Sequence, residues 1–392
     1  MPTWTYDIDG LIQATEQTYS RHPSQHVVIS VEALGLKSNY VPPQSPEPSS
    51  SPLIRMCSGT YLDCAKWNAM SSTERFISIA KSHVKRKSNV IITSEAAAAL
   101  HGLPLLLRHA TISLANSSRR PRGQRRIGPK AVEYQANALV RRVGTHLHDH
   151  DLVEICGRKV TDIPKTVIDI CRSEHSENGL IVADAALRQW CTTAELEETL
   201  RAYPRARGNR RVRKILAIAG ERSESVGESL TKGCIVNAGI ASLDDENSSL
   251  LQQVDFYDSD GFIGRVDFYL PELNLIIEFD GATKYSCDAA CVTEKVLVAE
   301  RHREKRLQNL GLEVVRLQWS DVLGGSCIGY LQRYADAQRS RISAGGLVFS
   351  PDLGHWRLPD LPFKLRKTRE QRVLERQRRR EKIIRSRESP EQ

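Results

Sequence analysis

The chain has 392 residues, of which 40% are hydrophobic and 26% are charged, as in an ordinary globular protein with two or three domains. Its nine cysteines include no CxxC pair, which argues against a disulfide framework and a zinc ribbon. No stretch approaches the roughly 18 apolar residues of a membrane span, and the first ten residues lack the pattern of a signal peptide. We therefore expect a soluble, cytoplasmic protein with no membrane partner.

The first 72 residues combine short apolar stretches with a proline-rich connection. A helix is predicted around Leu11 to Tyr19, and the apolar stretch VVISVEALGL follows it. Residues 42–52 contain five prolines and several serines, which favour a flexible linker. LIRMCSGTYL then predicts a strand with a turn at Ser58 and Gly59.

A mixed α/β region is predicted from residue 73 to residue 205. The sequence favours a helix at STERFISIAKSHVK, a strand running into a helix at NVIITSEAAAALHGL, and a strand at ATISLA. Gly102 is the expected cap of the second of these helices. TVIDICRS and IVADAALRQW are typical of helices that follow a turn at Ile163 and Pro164, and RARGNRRVRKILAIA is typical of a basic helix.

A basic segment, SSRRPRGQRRIGPK, lies inside this region. It places five arginines among turn-forming residues: Arg119, Arg120, Arg122, Arg125 and Arg126. One interpretation is a solvated basic loop. The other is a loop that contacts the phosphates of a nucleic acid.

The last third of the chain predicts one further domain and a basic tail. From Ser223 to Asp321 the expected order is helix, strand, hairpin, helix and strand, which is typical of an α/β domain with a small mixed sheet. The formal net charge of +9 belongs to the tail, because residues 364–387 contain 12 Lys or Arg and three Glu. We expect this tail to be disordered until it meets a polyanion, and Arg378, Arg379 and Arg380 to contact nucleic acid.

The stretch RVDFYLPELNLIIEFDG, residues 265–281, predicts a hairpin whose register can be derived. If residues 271–274 form a four-residue turn, Leu270 lies opposite Leu275 and Asp267 lies opposite Glu278. One face is then wholly apolar, with Val266, Phe268, Leu270, Leu275, Ile277 and Phe279. The other face carries Arg265, Asp267, Tyr269, Ile276, Glu278 and Asp280.

Charge limits what the second face can do. Arg265 would lie opposite Asp280 in this register and form a salt bridge, which leaves Asp267 and Glu278 facing each other unpaired. The Cβ atoms of opposed residues are roughly 4.5–5.5 Å apart, so two carboxylates there require a cation, a proton or water. The alternatives are a site for a hard divalent cation such as Mg²⁺ and a solvent-facing acidic patch.

This pattern resembles a known superfamily. Glu228, Asp267 and Glu278-Phe279-Asp280-Gly281, followed by the basic helix ERHREKRLQNLG and the strand EVVRLQW, resemble the PD-(D/E)xK restriction-endonuclease-like domains, and most nearly the small Vsr-like domains of bacteria. The resemblance covers roughly residues 222–325. It implies a restriction-endonuclease-like α/β fold and metal-dependent cleavage of nucleic acid, with DNA as the expected partner.

The same resemblance implies roles for individual residues. Asp267 and Glu278 would be catalytic ligands of Mg²⁺ or Mn²⁺, and Glu228 would be a third acid on the preceding helix. The lysine position of the motif holds Asp280, so Lys284 in GATKY is the expected replacement for the catalytic lysine.

Helical periodicity makes a separate prediction about Glu228. Val226, Leu230 and Cys234 form an apolar stripe that excludes it, so periodicity alone does not turn Glu228 toward the core.

Two arginines are further candidates for nucleic-acid binding. Arg303 falls near the apolar stripe of the basic helix, and Arg316 alternates with Val314 on the last strand. Each is interpreted either as a phosphate contact or as a side chain that extends to solvent.

The upstream half resembles a second family. SGTYL, SEAAAALHGLP, KVTDIPKTVIDICR and VADAALRQW together resemble AbiEi-type antitoxin regulators of type IV toxin–antitoxin systems, in which a winged helix-turn-helix precedes an antitoxin region. The resemblance covers about residues 1–205, and uncharacterised actinobacterial proteins join such a region to a Vsr-like domain. KSNYVPPQSPEPSSSP stands where a recognition helix would follow, so we expect a degenerate winged-helix-like N-terminus.

Together these patterns predict a multidomain α+β and α/β chain. Residues 1–72 would be the degenerate winged helix-turn-helix-like region, 73–205 the AbiEi-like region, 206–345 the Vsr-like nuclease domain and 346–392 the basic tail. The first hypothesis is a Mg²⁺-dependent nuclease in phage defence or a toxin–antitoxin context. The alternatives are a catalytically inactive AbiEi-like antitoxin or transcriptional regulator that binds DNA or a cognate toxin, and a purely protein-binding antitoxin.

Two further clusters were weighed as metal sites. THLHDHD contains His146, His148 and His150, which could bind Zn²⁺ on a strand or belong to a polar loop without metal. Cys287 and Cys291 could share a helix face, and we expect them to be reduced thiols.

Overall fold

The computed structural model of the protein describes residues 29–30, 53–57, 60–84, 89–107, 111–116, 124–126, 139–144, 147–173, 176–241, 250–281, 290–345 and 355–360. The strands in these ranges are β1 (Ile29–Ser30), β2 (Leu53–Cys57), β3 (Thr60–Asp63), β4 (Val90–Thr93), β5 (Thr111–Asn116), β6 (Gln124–Arg126), β7 (Leu139–Gly144), β8 (Leu152–Ile155), β9 (Arg158–Thr161), β10 (Leu251–Asp258), β11 (Gly261–Leu270), β12 (Leu275–Phe279), β13 (Glu313–Leu317) and β14 (Trp356–Arg357).

The α-helices in the same ranges are α1 (Cys64–Asn68), α2 (Ser72–Ser82), α3 (Ser94–His101), α4 (Ile163–Cys171), α5 (Ser176–Gln189), α6 (Thr193–Arg201), α7 (Asn209–Ile218), α8 (Val226–Asn237), α9 (Ala290–Asn309), α10 (Trp319–Val322) and α11 (Cys327–Ser343). None of these described helices is both long and apolar enough to cross a lipid bilayer. The chain divides into two compact units, and the boundary between their described residues lies at Arg213 and Lys214, within α7.

The first unit is built around a six-stranded mixed sheet with the order β6-β7-β5-β4-β9-β8. β5 pairs with β7 and β4 pairs with β9 in parallel, whereas the other neighbours are antiparallel. Helix α3 contacts β4, β5 and α4, and its apolar run from Ala96 to Leu100 is fully buried. A small antiparallel sheet with the order β1-β3-β2 belongs to the same unit.

Local sequence signals account for the helix ends in this unit. Gly102 ends α3 in the left-handed conformation, with φ 78°, as predicted. The predicted turn at Ile163 and Pro164 is wrong, because Ile163 begins α4. Asp162 caps this helix by accepting a hydrogen bond from Lys165 N at 2.9 Å, and a proline in the first turn removes no intrahelical bond.

The basic segment of this unit is described only in part. Arg125 and Arg126 lie in β6, which pairs with β7, so the prediction of a loop is wrong for these two residues. Several other predictions lie outside the described residues: the helix at Leu11 to Tyr19, the linker at 42–52, Arg119, Arg120, Arg122, and the tail with Arg378, Arg379 and Arg380.

The second unit is built around a five-stranded mixed sheet with the order β13-β12-β11-β10-β14. β11 and β12 are the predicted hairpin, and α9 connects β12 to β13, which pair in parallel. Helix α8 contacts β12 and α11, and α9 contacts β11 and β13. The predicted order of helix, strand, hairpin, helix and strand is confirmed, and the chain as a whole is a mixed α/β protein with two mixed sheets.

Aromatic packing buries the part of the hairpin that lies near its turn. Tyr269 and Ile276, on the face that also carries the acids, are fully buried. The rings of Phe256 and Trp356 lie against Tyr269, with centroids 5.0 and 5.9 Å away, and Leu307 of α9 belongs to the same core cluster. This face is therefore apolar near the turn, and its polar groups are confined to the far end of the hairpin.

Candidate acidic site

The two strands of the hairpin pair near their turn and separate where the acids lie. The turn is the 3-10 segment Pro271–Leu273 followed by Asn274, which is left-handed with φ 47°. Three cross-strand pairs confirm the predicted register: Leu270 with Leu275, Tyr269 with Ile276 and Phe268 with Ile277. The pairing ends there, one position before Asp267 and Glu278, whereas β12 stays paired with β13 as far as Phe279. The two acids therefore flank a gap between β11 and β12.

Asp267 is held in this gap by hydrogen bonds from both neighbouring strands. Its Oδ2 accepts a bond of 2.8 Å from the backbone N–H of Phe279 on β12. Its Oδ1 accepts a bond of 3.3 Å from Nε2 of Gln253 on β10. A side chain thus takes the place of a backbone partner for Phe279 N–H, which explains how the ladder can end without leaving that donor unpaired.

Gln253 marks a matching irregularity on the other side of Asp267. β10 pairs with β11 at Gln252 and again at Val254, but Gln253 itself is left-handed, with φ 57°. For an L-residue this conformation costs roughly 1–2 kcal/mol. It sends the buried amide toward Asp267 and toward Glu228, whose Oε2 accepts a bond of 3.0 Å from the same Nε2.

Glu228 lies in the first turn of α8 and is 7% exposed. Ser225, the N-cap, donates from its hydroxyl to Glu228 Oε1 at 2.8 Å, and Glu224 N donates to Oε2 at 2.7 Å. Burial, reinforced by the nearby charge of Asp267, raises the pKa of Glu228 to about 7. The apolar stripe gave the wrong orientation, because the N-terminal turn of α8, rather than its middle, faces the acids.

A glycine lets that turn approach the sheet. A Cβ atom on Gly227 would lie 2.0 Å from Cε1 of Phe279, so the ring of Phe279 packs directly on the backbone of α8. Trp319 holds the other side of the ring, with centroids 4.9 Å apart and planes at 82°. This packing brings Glu228 and the end of β12 together.

Glu278 is paired with arginines rather than left unpaired. Arg303 of α9 donates from Nη2 to Glu278 Oε1 and, at 3.4 Å, from Nη1 to Oε2; the two side chains are 18% and 13% exposed. Arg303 reaches Glu278 across Gly264, where a Cβ atom would be 2.7 Å from Arg303 Nε. Burial and the charge of Asp267 raise the pKa of Glu278, although Arg303 and Arg316 oppose this increase.

Arg316 joins the same ion network from β13. The parallel pairing places it directly beside Glu278, and its Nε lies 3.5 Å from Glu278 Oε2. It also contacts Glu300 at 2.7 Å and Glu304 at 2.9 Å, and Glu300 in turn contacts Arg303 at 3.0 Å. The two predicted nucleic-acid-binding arginines thus both lie beside the acidic site.

Arg265 has a different partner from the one predicted. Its Nε donates to Oδ1 of Asp255 on β10 at 2.8 Å, directly across the β10–β11 ladder. The predicted bridge to Asp280 does not form, since the pairing of β11 with β12 has already ended at Phe268. Asp280 instead follows β12, where its backbone N–H donates to Leu317 O at 2.8 Å.

The remaining predicted residues are only partly accessible to description. Lys284, Cys287 and His146 lie outside the described residues, and so do the contacts of the Cys291 side chain. His148 and His150 stack with centroids 5.1 Å apart around the 3-10 segment Asp149–Asp151. Within the described ranges, no group of three or more His, Cys, Asp and Glu side chains is arranged to hold a metal ion.

The acids nevertheless fit a hard divalent cation. Mg²⁺ is commonly held by one or two carboxylates together with waters, and does not require a complete protein cage. Here Asp267 raises the pKa of both Glu228 and Glu278, so three partly or fully buried carboxylates feel one another's charge. A cation at this place would relieve that repulsion. Asp267 and Glu278 are the residues that would hold it, with Glu228 beside Asp267.

Several residues of the site were missed from the sequence. Ser225 and Glu228 have the spacing of a capping box, which would have placed Glu228 in a first helical turn. Gly264, a glycine within a strand, signals a close approach of other atoms. Gln253 had a weaker signal, two consecutive amides in an otherwise apolar strand.

The comparisons with known proteins are limited. The chain is 26% identical over 182 residues to two proteins of Mycobacterium tuberculosis, from strains CDC 1551 / Oshkosh and H37Rv, both named only as uncharacterized proteins. The match covers 46% of this chain and 60% of each relative, so the chain spans less than two thirds of their length. No protein-family model matches the chain, and no solved structure matches it.

Proposed function

We propose that the second unit is a metal-dependent nuclease related in fold to the PD-(D/E)xK restriction-endonuclease-like domains. The observation that carries this proposal is the separation of β11 and β12 at Asp267 and Glu278, with the buried Glu228 bridged to Asp267 through Gln253. An acidic patch that served only solubility would face solvent, and it would not be buried with raised pKa values.

The roles of the residues follow from their contacts. Asp267 and Glu278 would hold Mg²⁺ or Mn²⁺, and Phe279 N–H fixes the orientation of Asp267. Glu228, with a pKa of about 7, can hold or release a proton near neutral pH. When bound, a divalent ion lowers the pKa of a coordinated water and stabilises charge on the scissile phosphate.

The arginines beside the acids suit a phosphodiester substrate. Arg303 and Arg316 are partly exposed, and their guanidinium groups can exchange a carboxylate for a phosphate, which has similar bidentate geometry. Lys284 would steer the attacking water. The basic segment with Arg119 to Arg126 and the tail would add phosphate contacts that hold DNA.

The test is cleavage of plasmid, single-stranded DNA and RNA with Mg²⁺ or Mn²⁺. Asp267→Asn and Glu278→Gln should abolish cleavage because each removes a charged ligand. Asp336→Asn is the matched control, since Asp336 is an exposed acid on α11 that pairs only locally with Arg339. Equal activity in the wild type and both site variants would overturn the proposal.

A second function, binding without cleavage, is favoured by one observation. Asp280, a carboxylate, occupies the lysine position of the motif at the end of β12. In that case the chain would be an AbiEi-like antitoxin or regulator that binds DNA or a cognate toxin through an inactive nuclease-like fold. DNA binding that persists in EDTA, together with the absence of cleavage under every metal condition, would support it.

A further inference from the structure

Gln253 belongs to the acidic site by geometry, although no motif names it. Its side chain is 7% exposed, and its Nε2 donates to two carboxylates at once, Glu228 at 3.0 Å and Asp267 at 3.3 Å. An amide N–H group carries a partial positive charge, so Nε2 occupies a position between two acids that suits a cation. The left-handed backbone of Gln253 exists opposite Asp267 and nowhere else in β10.

The other end of this amide is unused. No described residue donates a hydrogen bond to Gln253 Oε1, although the side chain is more than nine-tenths buried. Oε1 is also absent from the fully enclosed polar atoms without partners in the described part of the chain, so it faces space that a small ion can reach. Buried amide oxygens usually find a donor, and one left without a donor calls for a ligand.

We propose that Gln253 Oε1 is a ligand of the divalent cation held by Asp267 and Glu278. This inference rests on the proposed metal-dependent function and names a third oxygen for its metal site. Amide carbonyl oxygens are hard ligands of the kind that Mg²⁺ and Mn²⁺ accept. The carboxamide therefore serves both states: Nε2 stabilises the neighbouring acids without metal, and Oε1 binds the cation when it arrives.

The strained backbone supports a role beyond packing. A glutamine that only filled space in β10 would remain in the ladder, as its neighbour Gln252 does by pairing with Phe268. Gln252 is also buried, but its Nε2 donates to Ser223 Oγ at 3.1 Å and does not contact the acids. The two adjacent glutamines thus differ in the one respect that matters, and Gln252 provides a matched control.

The test is Mn²⁺ binding to the full chain by titration calorimetry, with thermal unfolding in EDTA and in Mn²⁺ as a second readout. Gln253→Leu removes both ends of the amide, and we expect Mn²⁺ affinity to fall at least about tenfold. Gln253→Glu keeps an oxygen but loses the Nε2 donor. This variant should bind Mn²⁺ at least as tightly as the wild type and should unfold at a lower temperature in EDTA. Gln252→Leu should bind as the wild type does.

The outcomes separate this inference from the proposed function. Mn²⁺ affinity that is the same in the wild type and Gln253→Leu would overturn the ligand role even if DNA is cleaved. Gln253→Glu binding as weakly as Gln253→Leu would also overturn it, and this variant decides the matter if Gln253→Leu does not fold. Binding that depends on Gln253 without any cleavage would support the ligand role and overturn hydrolysis. If the wild type shows no Mn²⁺ binding that Asp267→Asn abolishes, both fail.

Discussion

The ring of Phe279 occupies the space that a side chain on Gly227 would need, since a Cβ atom there would lie 2.0 Å from Cε1. This contact fixes the first turn of α8 against the end of β12. It thereby sets the position of Glu228 relative to Asp267, because Glu228 follows Gly227 directly and Asp267 is bonded to Phe279 N.

Gly227→Ala should destabilise the second unit. The added methyl group must displace either the helix or a ring that Trp319 also holds, and overpacking of this kind costs typically about 1–3 kcal/mol. Urea unfolding measures the change. Gly220→Ala is the control, because an added Cβ there has no atom within 4 Å and should leave stability nearly unchanged. Wild-type stability in Gly227→Ala would contradict the close approach.

The raised pKa of Glu228 predicts a dependence of stability on pH. The folded state binds the proton of Glu228 up to a pKa of about 7, whereas the unfolded state releases it near 4.5. The contribution of this group to stability is therefore greatest below pH 4.5 and falls as pH rises to 7, by at most about 3 kcal/mol. Glu228→Gln should flatten the curve of unfolding free energy between these values, whereas the exposed Glu197→Gln should not. A curve of unchanged slope in Glu228→Gln would refute the assignment.

The pairing of Arg303 with Glu278 can be measured by a double-mutant cycle. Arg303→Met keeps the length of the side chain but removes its charge, and it should cost about 2 kcal/mol at neutral pH because Glu278 loses its main donor. The loss should be smaller in a Glu278→Gln background. The exposed pair Arg339 and Asp336 is the control, for which a coupling near 0–1 kcal/mol is expected. Equal coupling in the two pairs would show that the Arg303 contact is superficial.

The basic tail should govern the salt dependence of nucleic-acid binding. Deletion after Pro362 removes the 12 Lys or Arg of residues 364–387, so DNA affinity should fall and the slope of log K against log salt should flatten by roughly 0.9 per lost phosphate contact. Removal of residues 388–392 alone is the control, since ESPEQ contains no basic residue. An unchanged slope after the longer deletion would rule out phosphate contacts by the tail.

Alternation and turn length were sufficient to predict the hairpin register from the sequence. Leu270 lies opposite Leu275 as expected, because a two-residue period and a four-residue turn leave one register that buries the apolar face. The separation at Asp267 could not be predicted in this way. It depends on a side-chain bond to Phe279 N and on the pairing of β12 with β13, and both involve residues that the hairpin pattern does not contain.

Partners that come from distant elements were the main source of error. Arg265 pairs with Asp255 because β10 is its neighbour, and a pattern confined to residues 265–281 could not include β10. Glu228 was judged by the average period of its helix, although its environment is set by the capped first turn and by Gly227. Packing between elements, rather than local periodicity, decided both positions.

The parallel pairing of β12 with β13 has a consequence for the order of folding. Asp267 and Glu278 lie on a hairpin, which can form within about 1–10 μs from local contacts. Arg303 and Arg316 reach Glu278 only after α9 has closed a much longer loop, and such closure is slower. The acids are thus assembled before their cations arrive. We expect closure of the β12–β13 crossover to be the step at which the nascent site changes from a bare anionic pocket to a charge-balanced one, so its rate should respond to divalent ions and to ionic strength.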